Sequence, residues 1–114
     1  MPLTILESDW KRFKEVRQVA LSRHCRLTLE RLAEIASEGS QNPHESYLVA
    51  YEYIKTRDRE VAQTFNYLRR STAMNQLILM QELGLLSDED TDAFSDDVQA
   101  TIGSVQVRDP SGLS

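Results

Sequence analysis

Apolar positions recur along this chain at steps of three and four residues, in three runs separated by short polar links. The first run is Trp10, Phe13, Val16 and Ala20, continued by Leu21, Cys25, Leu29, Leu32 and Ala36. That spacing is a broad apolar stripe on one helix. It predicts a helix over about 9–38, entered at Ser8, whose hydroxyl suits the N-cap, with Asp9 at the positive end of the dipole. Gly39 is the expected stop.

The link "EGSQNPHE" carries the strongest local signal. Asn42 can cap, Pro43 fits the first helical position where its missing N–H costs nothing, and Glu45 completes a capping box. The second run, Tyr47, Tyr51, Ile54, Asp58, Val61, Phe65, Leu68 and Thr72, alternates four and three residues. It reads as the seam of a left-handed coiled coil with one charged intruder. After Thr72 the phase slips to Ala73, Leu77, Met80 and Leu83, and Leu77–Met80 is apolar on all sides. Gly84 can supply the left-handed residue that ends the helix, with Leu85 folding back on Met80. Unbroken, the span 43–83 is a rod of about 60 Å, far longer than a compact globule of this size allows. Either it bends near "RRSTAMN" or the molecule is elongated and completes its core with another copy.

A short link makes the two long helices antiparallel neighbours, with facing residue numbers that sum to about 81. Phe65 is then expected against Val16, Val61 against Ala20, Leu68 against Phe13, and Ile54 against Leu27. Asp58 falls opposite Arg23 and His24.

The third run lies in "GLLSDEDTDAFSDDVQ", which poses a choice between a metal loop and a capped helix. Asp88, Asp90 and Asp92 fit the first ligand positions of a calcium loop. Ala93 stands where that loop needs glycine, and Gln99 where it needs a bidentate glutamate. Capping accounts for more residues: Ser87 as N-cap, Asp90 three positions on, and acids along the first turn. Phe94, Val98 and Ile102 then form an apolar stripe and Gly103 stops a helix over about 88–102. No metal site is expected. From Gly103 the chain loses its period and reads as a flexible tail, 104–114, beyond a single helical domain, 1–103.

The expected fold is therefore all-α: a long antiparallel helical hairpin plus a short acidic C-terminal helix, completing a helical bundle by dimerisation. The expected interaction surface is Leu77, Ile78, Leu79, Met80 and Leu83.

Charge changes this picture only in part. The chain of 114 residues has a net charge of −5, unevenly spread. Residues 11–31 carry seven bases against two acids, and residues 82–97 carry seven acids and no base. The basic stretch makes Arg17, Arg23, Arg26, Arg69 and Arg70 candidate phosphate contacts, the alternative reading being a nucleic-acid-binding regulator. A single cysteine excludes an internal disulfide and fits a reducing compartment. The N-terminus lacks the basic start and apolar run of a signal peptide, and no stretch is long enough to cross a bilayer, so a cytoplasmic location is expected.

Enzymatic chemistry finds little support. His24 and Cys25 are adjacent, so on a helix they point about 100° apart, and a buried cysteine beside a half-exposed histidine is the expectation. The Arg17-x6-His24 spacing resembles the active-site pair of small helical HEPN ribonucleases, over two residues and no flanking motif. That resemblance implies a metal-independent ribonuclease with Arg17 and His24 in its site. Neither histidine has a glutamate three positions before it, so no di-iron centre is expected, and no glycine-rich loop suggests a bound phosphate cofactor. The reading is a small non-enzymatic helical protein acting through protein–protein contact and self-association, most simply as a homodimer, with no cofactor.

Overall fold

The computed structural model describes residues 5–38 and 42–108. Among them are five α-helices, one turn of 3-10 helix and no strand. α1 is Glu7–Glu38 and α2 is Pro43–Phe65; the 3-10 turn is Arg70–Thr72. α3 is Ala73–Glu82, α4 is Asp88–Asp92 and α5 is Asp96–Gly103. The expected stop at Gly39 and the end of the expected tail, 109–114, lie outside the described residues.

α1 and α2 form the antiparallel hairpin, and its register is the expected one. Arg17 donates to the Phe65 carbonyl, and the His24 imidazole lies 3.4 Å from the Arg57 carbonyl oxygen, pairs whose numbers sum to 82 and 81. The helix starts are set locally. The Asn42 side chain accepts from the His44 amide at 3.0 Å, with Pro43 at the first helical position. At α1, by contrast, Ser8 is not the cap: the helix begins at Glu7, and the Leu6 carbonyl accepts from the Trp10 amide. Asp9 is buried instead and accepts from the Ser95 amide and hydroxyl.

The long second rod is broken, a few residues before the phase slips at Thr72. Four residues, 66–69, interrupt it, and Arg69 is extended. Carbonyls left over at the end of α2 need other donors. Arg17 serves Phe65 and the Gln76 amide serves Tyr67, while Arg70, just past the break, ties it to the chain ahead of α1 by donating to the Ile5 carbonyl at 3.0 and 2.7 Å. Side chains thus hold the bend that turns α3 back across the base of the hairpin. The molecule remains elongated, 53 × 23 × 22 Å, because α1 alone accounts for about 48 Å.

α3 ends as its sequence predicts. Gly84 has φ of 71°, the Leu85 amide reaches the Met80 carbonyl at 3.0 Å, and the Gly84 amide reaches Gln81 at 3.0 Å. The acidic segment is capped as expected too. Ser87 and Asp90 exchange hydrogen bonds with each other's backbone amides, at 3.2 and 2.9 Å. The single helix expected over 88–102 is nevertheless two, α4 and α5. The division lies at Ala93–Ser95, where Asp9 captures the Ser95 amide and so takes it from the helical ladder.

The core sits at the base, where Phe13, Val16 and Ala20 of α1 meet Phe65, the buried side of α3, and Phe94, Val98 and Ile102. Leu77 and Met80, expected to face a second copy, are fully buried within the chain. An all-round apolar helix is one that is covered on several sides. α3 is covered by the hairpin on one side and α5 on another. Ile78, Leu79 and Leu83 are half-buried, so this segment offers no open apolar surface.

Leu77→Ala should therefore destabilise the folded chain itself by about 2–5 kcal/mol, through lost burial and the cavity left behind. Urea unfolding reads this, and a loss below about 1 kcal/mol would place Leu77 outside the core.

Candidate functional site: the outward face of the helical hairpin

Beyond the base, α1 and α2 run on as two helices alone, and what lies between them is mostly small or polar. The α1 side is Ala20, His24, Thr28 and Ile35, all buried. The α2 side is Ser46, Ala50, Tyr53 and Arg57, half-buried, and Glu60 and Thr64, buried. Small residues let the helices approach, and a polar cluster holds them. The Glu60 carboxylate lies 3.0 Å from the Arg57 guanidinium and 3.6 Å from both His24 and Arg108. Arg108 comes from the segment after α5, which returns to donate its amide to the Glu82 carbonyl at 2.7 Å. The described part of the expected tail is thus pinned to the hairpin.

At the base Phe13, Val16, Ala20 and Phe65 keep the inward places their stripes predict, but beyond it each helix is turned by one residue, about 100°, from the predicted orientation. Several expected contacts are replaced as a result. Asp58 is exposed; Glu60 meets His24 in its place, and Arg23 pairs with Asp90. Ile54 and Leu27 are both exposed rather than packed together, and Leu68, beyond the bend, is exposed instead of meeting Phe13. Cys25 is exposed and His24 is 5% exposed, the reverse of the expectation.

Where the apolar stripes go follows from helix geometry. Antiparallel helices wind in opposite senses about a shared direction, so one step forward on each turns both side chains to the same side. Leu21, Cys25, Leu32 and Ala36 of α1 therefore share a broad face with Tyr47, Ile54 and Val61 of α2. Leu29 edges that face on one side, and Tyr51 and Asp58 edge it on the other. Leu29 is 63% exposed, Tyr47 65%, Tyr51 50% and Ile54 39%. The rear of the hairpin is more polar, with Glu34, Glu45 and Thr56 around Leu27 and Val49.

Arg23, one position before His24, points to the rear, where it donates to the Leu85 carbonyl at 2.9 Å and to Asp90. This fixes the α3–α5 layer behind the hairpin and leaves the apolar face uncovered. Burial alone would raise the Asp90 carboxyl. The hydrogen bond from Arg23 and those from the Ser87 backbone and side chain outweigh burial and hold it below the ordinary range.

The other candidate residues are dispersed. Arg17, Arg23 and Arg70 are committed to internal partners, Arg70 also pairing with Glu7 at 2.6 Å, and Arg69 lies over the Tyr67 ring. Arg26 is exposed and sits beside the outward face. Arg17 lines an open groove along α1 with Leu21, Cys25 and Leu29, whereas His24 is closed in by Glu60, the Arg57 carbonyl and the Phe65 ring and does not reach that groove. Among the described residues no group of three or more His, Cys, Asp and Glu could hold a metal, since Asp90 is turned inward. No described helix is long and apolar enough to cross a membrane. No family model, no curated protein and no solved structure matches the chain.

The stripes themselves were legible in the sequence; that they face outward was not. The missed signal was the second stripe, one residue back on each helix, in which His24 has Arg57 and Glu60 as partners.

A carboxylate with a lowered folded value stabilises the native state above the ordinary aspartate value, about pH 4, and loses that contribution as pH falls through the folded value. Asp90→Asn should accordingly lower the urea midpoint at pH 7, with the gap from wild type shrinking toward about pH 3. An unchanged gap would mean the Arg23–Asp90 pair carries no charge-dependent stability.

Proposed function

We propose that this protein is a non-enzymatic helical module that works by protein–protein contact, self-association first, through the apolar face of the α1–α2 hairpin. The observation that carries this reading is the outward exposure of Leu29, Tyr47, Tyr51 and Ile54 on helices whose mutual contact is polar. A two-helix hairpin buries few apolar side chains by itself, and a large exposed apolar face on a folded chain marks an association site. The working surface thus moves from Leu77–Leu83, which the base consumes, to the hairpin. Homodimerisation is the simplest form of the proposal. The alternative, nucleic-acid binding by the basic stretch of α1, has fewer free arginines to draw on.

Ile54→Glu should abolish self-association at tens of micromolar while leaving the helical circular dichroism unchanged, because Ile54 has no role in the base core. Sedimentation velocity distinguishes the outcomes. A wild-type chain that stays monomeric, or a variant that associates as well as wild type, would remove the proposal.

A further inference from the structure

We propose that Thr72 is a phosphorylation site: a serine/threonine kinase that selects arginine ahead of its acceptor modifies this hydroxyl, and Arg69 then holds the phosphate. The proposal is independent of the hairpin face and of self-association.

The break between α2 and α3 is exposed throughout. No residue from 66 to 72 is buried, whereas the links after α3 and α4 bury Leu85 and Phe94. Exposed irregular segments are where a modifying enzyme gains access to a chain. Arg69 and Arg70 stand three and two residues before Thr72, and the small Ala73 follows it. A kinase cleft lined with carboxylates selects its substrates by such a pattern of charge. To lie extended in that cleft the chain opens one 3-10 turn, closed by the Thr72 amide on the Arg69 carbonyl at 3.2 Å. It also draws Arg70 away from Ile5 and Glu7.

The hydroxyl is not used as a helix cap. Thr72 occupies the N-cap position of α3, yet its side chain makes no capping hydrogen bond and donates instead to the Arg69 carbonyl at 3.2 Å. Asn42 and Ser87, in the same position on α2 and α4, both cap. The Arg69 side chain is exposed, its guanidinium 5.2 Å from the centroid of the Tyr67 ring, and among the described residues it makes no ion pair. Because the turn folds residue 72 back over residue 69, a phosphate on Thr72 stands within reach of that guanidinium.

In the transfer the Thr72 oxygen forms a bond to the γ-phosphorus of ATP, and the bond from that phosphorus to the bridging oxygen breaks. ADP leaves with the electron pair, and the hydroxyl proton passes to the catalytic base of the kinase. The product carries about −1.5 to −2 charge at pH 7 and three acceptor oxygens, which Arg69 meets with a charge-assisted hydrogen bond.

The test incubates the folded full-length chain with ATP and a kinase of this arginine-directed class, and maps the phosphate by fragmentation mass spectrometry. A phosphoryl group on Thr72 is expected, and none on the Thr72→Val chain. Arg69→Gln should lower kcat/KM for the modification about tenfold, the loss of one hydrogen bond to a charged group, without moving the urea midpoint. Phosphorus NMR then reads the hold: the phosphate should titrate below its ordinary value of about 6, and return to it in phosphorylated Arg69→Gln. A folded chain that stays unmodified, or that takes the group on Ser71, overturns the site. A titration that Arg69→Gln leaves unmoved overturns the part given to Arg69.

Discussion

The Glu60 carboxylate decides how this molecule is arranged. It is buried between two helices, and a buried charge must be partnered. Its partners arrive from three parts of the chain: Arg57 one turn away on α2, His24 across the hairpin, and Arg108 from the segment after α5. To bring His24 to Glu60, α1 must present its His24–Thr28 side to α2, and α2 its Arg57–Glu60 side. Cys25, Leu29, Tyr47, Tyr51 and Ile54, each one residue further on, are then turned outward. The same rotation sends Arg23 backward to Asp90 and Leu85, which seats the base layer behind the hairpin and keeps the front open.

The chain therefore divides its apolar residues between two tasks. Phe13, Val16, Phe65, Leu77, Met80 and the α5 stripe make a closed core at the base. Leu29, Tyr47, Tyr51 and Ile54 contribute nothing to that core, and they lie together on the part of the hairpin that reaches beyond it. The hairpin is held by polar pairs, with its more apolar sides outward.

Features set by near neighbours in sequence were readable from residues alone. Asn42 and Pro43 mark the start of α2, Gly84 the left-handed end of α3, and Ser87 with Asp90 the start of α4, because each device is complete within a few residues. The all-α class and the hairpin register followed from periodicity and a short link. The phase slip after Thr72 left open a bend or an unbroken rod, and the chain breaks a few residues earlier, at 66–69. What periodicity could not supply was the rotation of each helix. The strongest apolar stripe is the default inward face, and it was overruled by Glu60, whose Arg108 partner is 48 positions away. Leu77–Met80 was misplaced for a related reason. Its all-round apolar character needed a third layer to cover it, and the division of 88–102 at Ser95, which positions α5 for that role, depends on the distant Asp9.

The rotation of the hairpin can be observed directly by isotope-filtered NMR, in which cross-peaks within one chain are separated from those between chains. The account predicts intra-chain cross-peaks between the His24 imidazole and the Phe65 ring, whose centroids lie 6.5 Å apart. Intra-chain cross-peaks joining Cys25 or Leu29 to Tyr51 or Ile54 would contradict it, since they would place the apolar stripes between the helices and leave no face to dock.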